Sequence, residues 1–425
     1  LDGDFAFVVI DGDDYIAGRD SLGVKPLYYG MDERGRMYFS SEMKPIADQC
    51  KTFSTFPPGH YYTPSTGFVK YYKPAYEDYK VATQEFDPEK LRNALTEATR
   101  KRLMSDVPIG VLLSGGLDSS LTSSIASRLL KEKGKELHSF SIGLDANAPD
   151  ALAAKKVADF LGTTHHEIHF TIEQGIEILD KLIWHLETYD VTSVRASTPM
   201  YFLSKAITDL GIKVVLSGEG ADEVFGGYLY FRNAPTTEDF QKETIERVQK
   251  LFTADLLRAD KSTMAHGLEA RVPFLDKAFL DVAMTIKPEE KQPKTYNGKE
   301  KYILRKAFDT PDNPYLPDEV LWRQKEQFSD GVGYNWIDTL IEYCASQVTD
   351  KQLDGAAEEF PYNTPTTKEA YYYRTIFNKY YPQLSAAQTV RKWIPKWQEN
   401  QDPSGRANAA HVQADTEIAK AITTA

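Results

Sequence analysis

Ser114-Gly115-Gly116-Leu117-Asp118-Ser119-Ser120 is the stretch whose reading decides the fold. It follows Ile109–Leu113, an apolar strand-like run. It opens a segment in which Leu117, Leu121, Ile125 and Leu129 recur every four residues, the stripe of a half-buried helix. Adjacent glycines let the backbone approach an anion closely and expose its N–H groups. The start of a helix adds a partial positive charge, and Ser114, Ser119 and Ser120 add hydroxyl donors. Asp118 has the wrong sign for an anion site unless it holds a divalent cation bridging phosphates; Mg²⁺ takes one or two carboxylates together with phosphate oxygens. No GxxxxGK[ST] segment occurs, so this is not a Walker loop. A tight turn with a Ser/Asp cap is the alternative. The strand–loop–helix context and the density of hydroxyls count against it.

On both sides of the loop the pattern alternates. Glu89–Leu103 reads as a helix, Leu137–Leu144 as a strand, Val157 and Leu161 mark a helix, and Glu167–Phe170 reads as a strand. Ser197-Thr198-Pro199 predicts a cap and an N1 proline before a helix carrying Leu203, Ile207 and Leu210. Val214–Leu216 is a buried strand that ends in Ser217-Gly218-Glu219-Gly220. Such alternation predicts an α/β fold with a doubly wound parallel sheet, whose ligands bind beyond the carboxyl ends of the strands. Both glycine loops lie there.

Upstream, residues 1–80 read as β-rich. Phe5–Ile10 stops at the turn Asp11-Gly12-Asp13-Asp14, Tyr15–Gly18, Leu27–Tyr29 and Met37–Phe39 follow as short strands, and Lys70–Pro74 closes the region. Ala75–Pro88 reads as a linker, residues 85–400 as the second domain and residues 401–425 as a polar tail of small residues. The first residue is Leu1, already in a strand-like pattern, so upstream sequence is expected to be missing, processing being the alternative.

Fifty basic against 62 acidic residues give a net charge of −12 in 425 residues. Without a dense Lys/Arg block, that balance argues against a nucleic-acid or membrane-surface binder. The two cysteines, Cys50 and Cys344, form no CxxC and make no disulfide framework. They read as small buried hydrophobes in a reducing, cytoplasmic protein. No apolar run reaches membrane-spanning length and no signal peptide opens the chain. His165, His166 and His169 lie on a strand-like segment and share no helical face, so a metal site is not read there. Tyr371, Tyr372 and Tyr373 read as packing aromatics of a helix, not as a stacking platform for bases.

Taken as a motif, the glycine loop resembles SGGxDS, the pyrophosphate loop of the ATP pyrophosphatase (adenine nucleotide α-hydrolase-like) superfamily. Ser217-Gly218-Glu219-Gly220-Ala221-Asp222-Glu223 resembles the SGEGxDE segment of asparagine synthetases. Gly226-Gly227-Tyr228, Arg258-Ala259-Asp260, Gly267–Asp276, Lys301–Arg305, Glu187–Asp190 and Arg195–Pro199 look like the same family. Gly18–Tyr29 and Ser40-Ser41-Glu42 resemble the later half of a class II (N-terminal-nucleophile) glutaminase domain. The chain is therefore similar to the glutamine-hydrolysing asparagine synthetases from about Leu1 to about Gly405.

The resemblance implies ATP-dependent amidation of L-aspartate to L-asparagine through β-aspartyl-AMP, with AMP and pyrophosphate as products and Mg²⁺ accompanying ATP. It places ATP at Leu112, Ser114, Gly115, Gly116, Asp118, Ser119, Ser120, Ile142, Ser217 and Gly218. Metal ligation falls to Asp118 and Asp222, charge neutralisation to Lys301, and catalysis in the amide-forming chemistry to Glu219. Thr192 and Arg195 are candidates for the aspartate or ammonia path, Arg195 being equally open to a structural ion pair. In the family the glutaminase nucleophile is an N-terminal cysteine. No residue here matches it, so ammonia is the expected donor for this chain and glutamine for the full-length protein. A homodimer is compatible with this reading. A β-lactam synthetase, which needs no ammonia, and a non-catalytic relative, which would not exchange pyrophosphate into ATP, remain the alternatives.

Overall fold

The computed structural model describes residues 1–145, 148–323, 333 and 335–398. Seven short strands build the N-terminal part: β1 Ala6–Asp11, β2 Asp14–Arg19, β3 Tyr28–Met31, β4 Met37–Ser40, β5 Thr52–Thr55, β6 His60–Thr63 and β7 Gly67–Lys70. They pair antiparallel in two sheets, β1-β2-β6-β7 and β4-β3-β5. A small core of Ala17, Leu27 and Phe56 lies between them with Tyr29, Phe39 and Tyr62. Arg19 is 1% exposed and donates to the carbonyls of Lys25, Phe56 and Gly23. Beside it, Asp20 accepts from the backbone N–H groups of Leu22, Val24 and Lys25, so the Gly18–Lys25 motif is a self-bonded structural loop. The last strand, β7, ends at Lys70, where the Lys70–Pro74 stretch read as closing this region begins.

The stretch read as a linker is docked. It forms turns at Ala75–Glu77 and Tyr79–Val81, buries Tyr76 in the main core and bridges Gln84 to Ile286. One aromatic anchor is enough to override a loop-like composition, because burying a ring removes a large apolar area from water.

The second part is a five-stranded parallel sheet, β10-β9-β8-β11-β12, made of β8 Ile109–Leu112, β9 His138–Gly143, β10 Thr164–His169, β11 Val214–Leu216 and β12 Glu269–Arg271. Side chains alternate across it as the pleat requires. Val111 and Leu113 join the core beneath helices α1 Pro88–Arg102, α2 Leu117–Lys131 and α3 Pro149–Leu161. Leu112, Phe140, Ile142 and Val215 join the opposite core with helix α4 Val191–Asp209 and Trp336. The fold is the expected doubly wound α/β sheet behind a β-rich N-terminal part. The sequence reading missed β12, which has three residues, two of them charged.

Pro199 corrects a second expectation. Helix α4 begins eight residues earlier than the Ser-Thr-Pro reading implies, with Asp190 as N-cap accepting from the Ser193 N–H at 2.9 Å, and Pro199 lies in its interior. A proline there leaves the carbonyl four residues back without its helical donor. That carbonyl belongs to Arg195, and the Trp336 indole N–H donates to it at 3.1 Å. The tyrosine and cysteine expectations stand: Tyr371 and Tyr373 are buried on the helix Lys368–Tyr380, and Cys50 and Cys344 are buried free thiols. The 401–425 tail lies outside the described residues. No helix among them is long and apolar enough to cross a membrane.

A buried lysine gives the first prediction. Lys291 is 1% exposed, and among the described residues its Nζ reaches only the Ala283 carbonyl, at 3.5 Å. Among the described residues no carboxylate pairs with it, and burial pushes its ammonium down from 10.5 to about 7. The unfolded chain therefore holds a proton that the folded chain lacks between those two values, so the parent gains stability as pH rises through that window. Lys291→Met removes the penalty and should stabilise the protein by on the order of 2 kcal/mol at neutral pH. Urea unfolding should show this advantage shrinking toward pH 10; an advantage independent of pH would contradict the account.

Candidate active site

A cavity of about 180 Å³ opens where β8, β9 and β11 end. Its floor is the loop after β8. Gly116 is the N-cap of α2 and brings no side chain to cap the first helical N–H groups. Among the described residues a Cβ there would meet only Ser114 Oγ, at 3.4 Å, so they leave this face of the loop open. Ser114 and Ser119 join hydroxyls at 3.0 Å and line the cavity. Gly115 does different work: at φ +73° a Cβ would collide with Ala153 Cβ and Ala154 N, both at 2.5 Å, so this glycine lets α3 pack against the loop. Neither Gly115 nor Ser120, which is 0% exposed, belongs to the cavity wall. Gly115 packs against α3, and the Ser120 side chain is buried in the first turn of α2.

The loop after β11 faces the first. A Cβ on Gly218 would lie 2.7 Å from Ser119 N, so the two loops touch only because this residue is glycine. Asp118 from one loop and Asp222 from the other converge on Lys301, whose Nζ pairs with Asp118 Oδ2 and, at 2.6 Å, with Asp222 Oδ1. Lys301 is 2% exposed and adopts φ +53°, a left-handed conformation unusual for a residue with a Cβ. Such strain persists only where the surroundings over-determine it. Gly227 is part of those surroundings, since a Cβ on it would stand 2.1 Å from both Asp222 Oδ1 and Lys301 Cε.

The donor set fits Mg²⁺ of the nucleotide-borne kind. Two carboxylates meet at one point beside an open helix N-terminus, which suits a cation that takes its remaining ligands from phosphate and water. Among the described residues no group of three or more His, Cys, Asp or Glu side chains could hold an ion by itself.

Beyond the lysine, Arg258 Nη2 donates to Glu219 Oε1 at 3.0 Å and to Asp255 Oδ1 at 2.9 Å. Burial works to lower the Arg258 guanidinium, but the charges of Glu219 and Asp255 outweigh it and hold the group above its ordinary value. Behind them the Tyr228 hydroxyl donates to Glu223 Oε1 at 2.5 Å. Burial, reinforced by Asp255 and Asp222, pushes the Glu223 carboxyl up to about 8. At the opposite end Leu112, Phe140, Ile142, Met200 and Leu203 make an apolar slot, of which only Leu112 and Ile142 were expected.

Ser217 and Thr192 line the cavity as expected. Arg195 does not: it makes a two-pronged pair with Glu369, at 2.9 and 2.6 Å, with both side chains 4% exposed. Its guanidinium is held in the helix-packing core, so the structural ion pair is the reading that holds. The histidines lie on the sheet, His165 between Ser139 and Ser141 and His166 against His138. Burial lowers both of those imidazoles, which keeps them neutral. Sequence reasoning assigned no role to Asp255, Arg258, Tyr228 or Trp393. The hints were two matched segments, Gly226-Gly227-Tyr228 and Arg258-Ala259-Asp260, since an arginine inside a matched motif asks for a partner.

The family model described as asparagine synthase matches residues 90–239 and 232–402, and a glutamine amidotransferase domain model matches residues 1–48. The glutamine-hydrolysing asparagine synthetase of Zea mays is 51% identical over 98% of this chain and 75% of its own length. The root enzyme of that name from Pisum sativum is 53% identical over 96% of this chain and 74% of its own length. At that identity and coverage, with the phosphate loop and the facing acidic loop in place, the chain belongs to the asparagine synthase family.

Proposed function

We propose that this protein makes L-asparagine from L-aspartate and ATP, with glutamine as the nitrogen donor and AMP and pyrophosphate as products. The observation that carries the reading is the convergence of Asp118, Asp222 and Lys301 beside the uncapped start of α2, with Glu219 and Arg258 next along the same cavity. In the first step the β-carboxylate oxygen of aspartate bonds to the α-phosphorus and the bond to pyrophosphate breaks. In the second, ammonia bonds to the acyl carbon, the bond to AMP breaks and the nitrogen gives up a proton.

Each residue has a task. The apolar slot with Leu112 and Ile142 takes adenine, and the backbone at Ser217 and Gly218 lies within reach of the nucleoside. The loop N–H groups and the Ser114 and Ser119 hydroxyls hold phosphate oxygens. Lys301 neutralises charge on the departing pyrophosphate, where fixed charges in a dry site count most. Asp118 and Asp222 would hold Mg²⁺, which when bound neutralises phosphate charge. Glu219 accepts a proton from the attacking amine or aligns the acyl acceptor, and Arg258 fixes the position of that carboxylate. Thr192 stands on the wall as the remaining candidate for the aspartate or ammonia path. Residues 1–80 we read as the later half of a glutaminase domain and residues 85–400 as the synthetase domain, a division supported by the two family matches. The buried free thiols are in keeping with a cytoplasmic enzyme.

Exchange of labelled pyrophosphate into ATP tests the reading. It should require L-aspartate, and added ammonium should convert the same mixture to asparagine and AMP. Exchange that proceeds without an amino acid, or no asparagine from ammonium, would overturn it. Amide formation without ammonium would favour an enzyme of the β-lactam synthetase kind.

A further inference from the structure

We propose that Trp393 sets the length of the dicarboxylic amino acid that the site accepts, because its indole partitions the nucleotide cavity from a second cavity behind it. This inference rests on the assignment of aspartate to the Glu219 end of the site. The second cavity, about 340 Å³, shares two wall residues with the first, Asp255 and Trp393.

The partition is fixed in place. The Trp393 ring stands edge-on to Tyr228 with centroids 5.2 Å apart, and the Arg247 guanidinium lies over it at 4.6 Å. Its backbone N–H donates to Asp190 Oδ1 at 2.9 Å, which ties it to the N-cap of α4. On either side the chain is held by contacts that do not use the indole: Asn363 Nδ2 donates to the Val390 carbonyl at 3.0 Å and Lys396 pairs with Glu243 and Glu246, each at 2.5 Å, while Arg247, which covers the ring, also donates to the Ile394 carbonyl at 2.7 Å. Truncating the ring therefore opens the wall beside Asp255 and leaves in place the stretch of chain that carries it.

The far side is suited to a carboxylate. Glu246 on that wall is answered by Lys250 and Lys396, and Asp255 by Arg258, while Arg391 and Lys392 also line the space. A substrate that keeps its reacting carboxyl beside Glu219 but is one methylene longer must move its α-carboxylate away from Glu219, toward Trp393. The indole forbids this. Without it, the carboxylate enters a space lined by Arg247, Lys250, Arg391, Lys392 and Lys396 against the three acids Glu223, Glu246 and Asp255, a basic excess that favours an anion. The chemistry is unchanged: the γ-carboxylate oxygen of glutamate bonds to the α-phosphorus as pyrophosphate leaves, then ammonia displaces AMP from the acyl carbon with loss of one proton.

The test measures initial rates of pyrophosphate release from the whole chain, with ammonium as nitrogen source and L-aspartate or L-glutamate as acceptor. Trp393→Ala should raise the glutamate-to-aspartate ratio of kcat/KM by about 10-fold or more, the worth of one methylene in a closed pocket. The gain should come through a lower KM for glutamate. Trp393→Phe, which keeps a ring, should stay near the parent ratio. Circular dichroism establishes folding, and Trp393→Leu serves with the same expectation if the alanine variant does not fold. A folded variant lacking the ring but showing the parent ratio overturns the proposal. A parent chain that releases no pyrophosphate with aspartate overturns the functional reading on which it rests.

Discussion

Glu219→Gln should leave ATP affinity nearly unchanged and lower asparagine formation by about 10²- to 10⁴-fold, the scale of losing a positioned general base. A carboxylate cannot favour ATP binding by charge, since both are anionic, so its value must appear in the reaction. The geometry makes the substitution a clean one. Arg258 pairs with both Glu219 and Asp255, and Asp255, at 2.9 Å, keeps hold of the guanidinium when Glu219 loses its charge. The amide oxygen of glutamine can still accept from Arg258, so what disappears is basicity. Glu219→Asp keeps the base but shortens its reach, and should retain part of the activity. Pyrophosphate exchange separates the two roles open to Glu219: lost exchange places it in adenylylation, and retained exchange in the ammonia step. Asparagine formation at the parent rate in Glu219→Gln would reduce Glu219 to a loop residue.

Lys301→Met should cost about 10³-fold in ATP cleavage, comparable with removing a fixed charge that stabilises a leaving group. It should also raise the KM for ATP, because phosphate then meets Asp118 and Asp222 without the cation between them. Those two carboxylates, 17% and 16% exposed, are left repelling one another, and the protein should lose on the order of 2 kcal/mol. Added Mg²⁺ should recover more thermal stability in the variant than in the parent, since it takes the place of the lost cation. This comparison needs no turnover. Lys301→Arg should not rescue activity: the space beside Gly227 is so close to the lysine stem that a planar guanidinium has no room. Unaltered turnover in Lys301→Met, or equal Mg²⁺ stabilisation in both proteins, would refute the assignment.

The parallel sheet was legible because short apolar runs at Ile109–Leu113 and Val214–Leu216 each end in a glycine loop, and alternation with helical stripes allows few other arrangements. The residues at those loop ends were legible for the same reason: Ser114, Gly116, Asp118, Ser119, Ser217, Gly218, Glu219 and Asp222 all line or touch the cavity. For Arg195 the sequence left two readings open and the structure shows the ion pair, while Gly115 and Ser120 lie off the cavity wall. A motif says that a residue type matters but not which way it faces, and these three face a neighbouring helix or the core. Strand β12 and the start of α4 escaped because their cause lies elsewhere in the chain: three residues gain a strand by pairing with β11, and an interior proline is tolerated because Trp336 supplies the missing donor.

The sequence by itself determined the class of the fold, the identity of the phosphate loop and the family, since these depend on local spacing and on segments matched in order. Tertiary structure alone decided that Lys301 lies between Asp118 and Asp222, that Arg258 holds Glu219, and that Trp393 comes to the wall of the cavity. Those contacts join residues far apart in the chain. Their energies depend on distance and burial, which fall off over a few ångströms and have no counterpart in sequence separation.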